Sequence, residues 1–179
     1  MPSFLTQPDA RTCQSTCIAM ALDQTEDDIH DVRSALEAIG EPGDPAVMGE
    51  YLRAKLGDRY NFEIAASIND MIGWLKNGEF LITHGWFTDS GHVIGLNGVE
   101  PDQKTLGIRF KVYDPWSEFN FTDWAYDNDS IGFQGAYSAK GIYAAAIVGN
   151  SKQDAEMVYS QTGLDINRAG AWIHRIRKN

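Results

Sequence analysis

The sequence predicts an α+β protein in which helices come first and an antiparallel sheet follows. Up to about residue 78, apolar residues recur at the three- and four-residue spacing of amphipathic helices. After Gly78 the segments become rich in β-branched and aromatic residues, as strands are. Because the helices precede the strands instead of alternating with them, a parallel sheet of βαβ units is not expected.

Four helices and a short strand are predicted before Gly78. The second helix has a capping residue at Thr25 with an acid three places on, Asp28, and it ends at Gly40. Ser67 caps the fourth, which ends at Gly78. The predicted helices cover residues 12–23, 25–39, 46–56 and 68–78, and the predicted strand covers residues 60–66.

Four later segments are predicted to be strands. In the third, Ile108, Phe110 and Val112 alternate with Arg109 and Lys111, as in a half-buried strand. The four segments are EFLITHGWF (79–87), GHVIGLNGVE (91–100), LGIRFKVYD (106–114) and GIYAAAIVGN (141–150).

The chain divides into a predicted catalytic domain over residues 1–150 and a helical tail over residues 151–179. In the tail, Ile166, Ala169, Ile173 and Ile176 recur at helical spacing. The tail also holds several basic residues in an otherwise acidic chain. They suit either a closing helix docked on the domain, or an arm for self-association or for docking on a partner.

The composition and the net charge argue against several classes of function. The chain has 15 Lys and Arg residues against 25 Asp and Glu residues, so its net charge is −10. This charge disfavours binding to nucleic acid and to anionic membrane surfaces. No run of about 18 apolar residues predicts a membrane span. The four histidines and two cysteines match no metal-ligand spacing, so neither a metal nor another cofactor is expected.

The chemistry is predicted from three short motifs. Gln7 and Cys13 form a Q-x5-C pattern directly before the first helix, His92 enters a strand in GHVIGL, and Asp114 leaves a strand in VYDPWS. A thiolate is stabilised at the positive end of a helix and by a neighbouring imidazole. A carboxylate can orient that imidazole, and a side-chain amide can donate to an oxyanion.

Together the motifs resemble those of papain-like cysteine peptidases, and in particular their C39-like branch. That branch shows Q-x5-C before a helix, then G-H with an apolar run, then D-P-W after a strand. The resemblance covers roughly residues 4–150. It implies that a helical N-terminal half packs on an antiparallel sheet, with the active site in the cleft between them.

The resemblance also implies roles for individual residues. Cys13 matches the nucleophile, His92 the general base, Asp114 the orienting acid and Gln7 the oxyanion-hole amide. The usual Gly-Pro after the nucleophile is Gln14-Ser15 here. We therefore expect Gln14 either to narrow the site or to contact substrate. Trp86 and Trp116, in the presumed cleft loops, are candidate substrate-binding residues, with ordinary core aromatics as the alternative.

Each assignment has a competitor. Cys17 lies one helical turn after Cys13 and is interpreted as a core residue. His84 is the rival of His92 and is expected at the rim of the site or in the core. Asn97 is an alternative to Asp114 as the orienting group, and Asp114 before proline also suits a plain turn. His30 and His174 are expected at the surface.

The sequence thus predicts a thiol hydrolase that cleaves an amide bond in a peptide or in a peptidoglycan peptide, as phage and bacterial lysins do. The N-terminal segment has no signal-peptide pattern, so we expect synthesis in the cytoplasm, which is compatible with later release or with a place in a virion. Two alternatives remain open. One is an acyltransferase of the transglutaminase type with the same three residues, and the other is a catalytically silent binding or structural protein.

Overall fold

The structure, a computed structural model, describes residues 2–105, 107–127 and 131–178. It confirms the α+β class, with helices packed on a six-stranded antiparallel sheet. The helices are α1 (Cys13–Ala21), α2 (Ile29–Ile39), α3 (Pro45–Leu56), α4 (Ile68–Lys76), α5 (Ala139–Tyr143) and α6 (Lys152–Gln161). The strands are β1 (Tyr60–Ala66), β2 (Phe80–Gly85), β3 (His92–Pro101), β4 (Ile108–Asp114), β5 (Phe119–Asn120), β6 (Ala125–Tyr126), β7 (Phe133–Ser138) and β8 (Ala171–Ile176).

The main sheet has the strand order β1-β8-β2-β3-β4-β7, and all neighbouring strands are antiparallel. Helices α1 to α3 cover one face, and α4, α5 and α6 cover the other. The predicted packing of the helical first half on the sheet therefore holds for α1 to α3, while α4 joins the later helices on the opposite face. Each fully buried aliphatic side chain in these two layers contributes about 1.5–3 kcal/mol.

Local signals in the sequence place most of these elements where they were predicted. Both predicted caps form: Thr25 and Asp28 make a capping box at the 3₁₀ turn Glu26–Asp28 that leads into α2, and the Ser67 hydroxyl accepts the Asp70 backbone N–H at 3.1 Å. Along α2, Ile29, Val32 and Leu36 are buried at the expected spacing. The predicted strand over residues 106–114 is β4, and Leu106 lies outside the described residues.

The predicted strand over residues 141–150 is wrong. This segment forms α5 and a single π-helical turn, Ala144–Val148. Ser138 caps α5 by accepting the Gly141 N–H at 3.0 Å. Three consecutive alanines follow, and alanine has the highest helix propensity. An apolar run of this length did not distinguish a buried strand from a buried helix.

The predicted helix at the end of the chain is also wrong. Helix α6 occupies part of the tail, but Ala171–Ile176 is a strand that lies between β1 and β2. Ala171 and Ile173 pack in the layer of α4 to α6, and Ile176 packs in the layer of α1 to α3. Both faces of β8 are therefore buried in part, and the end of the tail belongs to the sheet itself.

No helix in the described parts of the chain is both long enough and apolar enough to cross a membrane.

Candidate active site

Cys13 is the first residue of α1, and its side chain lines a cleft of about 490 Å³. Thr12 occupies the N-cap position, but its hydroxyl donates to the Asp9 carbonyl at 3.1 Å and does not cap the helix. The N–H groups of the first turn therefore have no side-chain cap. The thiol lies at the positive end of the helix dipole, next to N–H groups that can bind negative charge.

His92 lies next to Cys13 and is bonded to Asp114. Its Nε2 is 2.9 Å from Asp114 Oδ1, and both side chains are buried. Because an imidazole has two nitrogens, Nδ1 remains for the thiol. Burial lowers the pKa of His92, but the charges of Asp114 and Cys13 and the hydrogen bonds to both raise it to about 10. The site therefore favours a protonated imidazole, the partner that a thiolate needs.

Asp114 ends β4 and accepts four hydrogen bonds. His92 and the Trp116 backbone N–H, at 3.1 Å, share Oδ1. The hydroxyls of Tyr126 and Tyr137 donate to Oδ2 at 3.0 and 2.9 Å. Burial, then the charge of Asp114, raises the pKa of both tyrosines, so both keep their protons and remain donors. These hydrogen bonds replace the water that a carboxylate binds in solution. They also fix the orientation of the Asp114 carboxylate toward His92.

Tyr126 and Tyr137 are the site residues for which the sequence motifs gave no role. Tyr137 comes from β7, which pairs with β4 at the edge of the sheet. The motifs do not include the pairing of β7 with β4, so they gave no indication that Tyr137 lies beside Asp114.

The predicted substrate-binding residues fall into two groups. Gln14 and Trp86 line the cleft, and Trp116 is not among the described residues that line it. The side-chain oxygen of Gln14 is buried and has no hydrogen-bond partner in the described parts of the chain. Trp86 is fixed through its backbone, which bonds to Ala145 at 2.9 Å and accepts from the Trp124 indole at 3.0 Å.

Gln7 is buried in the segment before α1. Its backbone N–H donates to the Pro115 carbonyl at 2.9 Å, which ties this segment to the turn that follows Asp114. Its side-chain Nε2 donates to the Asp9 carbonyl at 2.7 Å. The described residues that line the cleft do not include Gln7. Its role at the oxyanion stays a prediction.

Two of the competing residues, Cys17 and Asn97, are not among the described residues that line the cleft. Cys17 is fully buried, 3.5 Å from the Val93 carbonyl, and burial followed by the charges of Cys13 and Asp114 raises its pKa. Asn97 donates to the Tyr113 hydroxyl at 3.1 Å, so the group bonded to His92 is Asp114.

The surface position predicted for His174 is wrong, because this residue is fully buried in β8. It stacks on Phe62 and is bonded to His84, which lines the cleft. The error follows from the helix predicted for the tail, which gave His174 no neighbours in the sheet. His30 is exposed on α2, as predicted.

Among the described residues, no group of three or more His, Cys, Asp or Glu side chains could hold a metal ion.

No protein-family model matches this chain, and no curated protein matches it at a significant level. Among solved structures it is similar to one described as a "putative C39-like peptidase from Bacillus anthracis". The two chains are 13% identical with a TM-score of 0.47, and the match covers 99% of this chain and 95% of the other.

Proposed function

We propose that this protein is a cysteine peptidase that hydrolyses amide bonds, with Cys13 as nucleophile, His92 as acid and base, and Asp114 as the residue that orients His92. The observation that carries the proposal is the arrangement itself. A thiol at an uncapped helix N-terminus adjoins an imidazole whose other nitrogen is 2.9 Å from a buried carboxylate. This is the geometry that activates a thiol as a nucleophile.

The reaction follows from the positions of these groups. The Cys13 thiolate attacks the substrate carbonyl carbon, and the oxyanion that forms is stabilised by the uncapped N–H groups of the first turn of α1. The C–N bond then breaks as His92 gives its proton to the leaving amine, which leaves a thioester on Cys13. His92 next takes a proton from water, the resulting hydroxide attacks the thioester, and the acid leaves Cys13 as a thiolate beside the protonated His92.

The cleft suggests that the substrate is an extended peptide. Many of its lining residues are glycine or alanine, so the substrate main chain can approach the walls closely. These small residues are Gly43, Gly85, Gly91, Ala145, Ala146, Gly149 and Gly170. Ordinary peptides and the stem or bridge peptides of peptidoglycan both have such a backbone, and the experiment below includes both.

The test exposes the purified protein to a proteome-derived peptide mixture and, separately, to soluble peptidoglycan fragments in ¹⁸O-water, with glycine ethyl ester as a competing amine. Mass spectrometry identifies the products. We expect new carboxyl ends that carry ¹⁸O with the parent protein, and none with Cys13→Ser or His92→Gln. Products capped mainly by glycine ethyl ester would instead identify an acyltransferase. If Cys13→Ser yields the same products as the parent, the proposal is wrong.

A further inference from the structure

A chain of three polar side chains leads from the cleft into the core, and the proposed triad does not use it. His84 of β2 lines the cleft, and its Nε2 is 3.0 Å from Nε2 of His174 in β8. Nδ1 of His174 is 2.8 Å from the Tyr60 hydroxyl of β1. His84 pairs with Val93 in the sheet, next to His92, so this chain begins beside the proposed triad.

The positions of the hydrogens follow from counting donors and acceptors. Tyr60 is buried, and among the described residues His174 Nδ1 is the hydrogen-bond partner of its hydroxyl. If His174 donated to Tyr60, the buried phenolic hydrogen would have no acceptor among the described residues, which is costly. Tyr60 therefore donates to His174. His174 Nε2–H then donates to His84 Nε2, and the hydrogen of His84 lies on Nδ1.

Both imidazoles are neutral in this arrangement. Burial lowers the pKa of His84 to about 4, although the charge of Asp44 opposes the shift. Burial, then the neighbouring His84, lowers the pKa of His174 well below its usual value. Neither ring faces a carboxylate within hydrogen-bond distance in the described parts of the chain, which contrasts with His92 and Asp114.

Aromatic side chains pack against the two histidines and hold them in place. His174 stacks on Phe62 with ring centres 4.8 Å apart, and Trp172 meets His84 edge to face at 6.4 Å. Trp172 is half exposed and also lines the cleft. The cleft therefore has, beside His84, an aromatic wall on which a planar amide can lie.

We propose that Tyr60 and His174 fix the tautomer of His84 so that its Nδ1–H faces the cleft, where it donates a hydrogen bond to an uncharged amide carbonyl oxygen of the substrate. This subsite deepens the proposed function and rests on it. The carbonyl belongs either to the substrate main chain or to a Gln or Asn side chain. A neutral donor of fixed direction favours such an acceptor over hydrocarbon, because hydrocarbon would leave the N–H without a partner.

The first test measures the tautomer directly and needs no substrate. Long-range ¹H–¹⁵N NMR at pH 7 identifies which ring nitrogens carry hydrogen, and His30→Gln assists assignment. We expect His84 to be protonated on Nδ1 alone and His174 on Nε2 alone. Tyr60→Phe removes the hydrogen bond that fixes the tautomer of His174, so both imidazole rings should average between tautomers. A parent His84 that is protonated on Nε2, charged, or averaged overturns the proposal.

The second test measures selectivity through the labelling rate of Cys13 by tripeptidyl chloromethyl ketones. One set exchanges Gln for Leu at each position, and another replaces single main-chain carbonyls by CH₂. In the parent protein we expect one position of the tripeptide to matter: there, the probe that keeps the carbonyl should label Cys13 about three- to tenfold faster than the matched probe that lacks it. In His84→Phe this preference should nearly disappear, whereas the control His30→Phe should keep it. The set that responds identifies the source of the carbonyl.

The outcomes separate the two proposals. If Cys13 is labelled rapidly but shows no carbonyl preference at any position, or a preference that survives in His84→Phe, the subsite is wrong and the proposed function stands. If Cys13 is labelled no faster than the buried Cys17, the proposed function is wrong, and the subsite with it.

Discussion

At the level of single residues, the site depends on a buried carboxylate that accepts four hydrogen bonds from described residues of the protein. Asp114 accepts from an imidazole, a backbone N–H and two tyrosine hydroxyls. Such a carboxylate is stable only while all of its donors are present, and an unpaired buried charge costs several kcal/mol. The two tyrosines therefore act through Asp114, as positioning residues for His92.

Replacing Asp114 by Asn should destabilise the fold strongly. The amide NH₂ would face groups that are themselves donors, and the charge that holds His92 protonated would be lost. We expect the free energy of unfolding to fall by about 3–5 kcal/mol, measured by urea denaturation. The exposed Asp89→Asn serves as the matched control and should change it by no more than about 0.5 kcal/mol. Equal stabilities of the two variants would contradict this role of Asp114.

His92 should make the stability depend on pH in a defined window. Its pKa is raised from 6.5 in the unfolded chain to about 10 in the folded protein. The folded state therefore binds a proton more tightly, and this stabilisation is complete below pH 6.5 and is lost as the pH rises toward 10.

We expect the parent protein to lose its stability advantage over His92→Gln across that window. Urea denaturation at intervals from pH 6 to pH 10 measures the difference between the two proteins. A difference that stays constant, or that grows with pH, would show that His92 is not held in the protonated form.

At the level of elements, the sequence correctly predicted the helices and strands that have clear local signals. The prediction failed where a pattern fits both a helix and a strand. Caps and glycines marked α2 and α4, and alternation marked β4. Strand β8 was mistaken for a helix because Ile173 and Ile176, three residues apart, also suit a helix. Its position between β1 and β2 joins residues 90 or more positions apart, and no local pattern encodes such a pairing.

The β8 assignment predicts opposite behaviour of two adjacent residues. Ile173 is fully buried, whereas the neighbouring Trp172 is half exposed on the other face of the strand. We expect Ile173→Ala to lower the free energy of unfolding by about 2–5 kcal/mol. Trp172→Ala should cost clearly less, although it removes more atoms. Thermal and urea unfolding of both variants provide the measurement, and a larger loss for Trp172→Ala would contradict the described strand.

Arg175 links β8 to its surroundings. It donates to Glu63 at 2.7 Å and to both oxygens of Glu79 at 3.0 Å, and it lies 4.2 Å from the centre of the Trp74 ring. This basic residue of the tail therefore has partners within the chain, whereas docking of the tail on another molecule stays a prediction.

Arg175→Gln should destabilise the protein by about 2 kcal/mol, because it leaves the buried Glu79 without its cation. Urea denaturation measures the loss. The control is the exposed Arg168→Gln, which we expect to have little effect. If the two variants lose the same amount, the contacts of Arg175 contribute nothing specific.

At the level of the whole molecule, the candidate site exists only where a helix meets the sheet. Cys13 belongs to α1, whereas His92 and Asp114 belong to β3 and β4. The resemblance carried by the three motifs predicted this meeting of helix and sheet. Tyr137 and the Tyr60–His174–His84 chain were not predictable, because each depends on strand pairings that the motifs do not include.

The central claim is that His92 activates Cys13. The measurement that tests it most directly is the rate of alkylation by iodoacetamide between pH 5 and pH 9, resolved for each cysteine by mass spectrometry. In the parent protein we expect rapid labelling of Cys13 at pH 6–7, at least about tenfold faster than in His92→Gln. Cys17 should remain unlabelled while the protein is folded, because it is fully buried. Equal rates and equal pH dependence at Cys13 in the two proteins, or labelling of Cys17 first, would contradict the account.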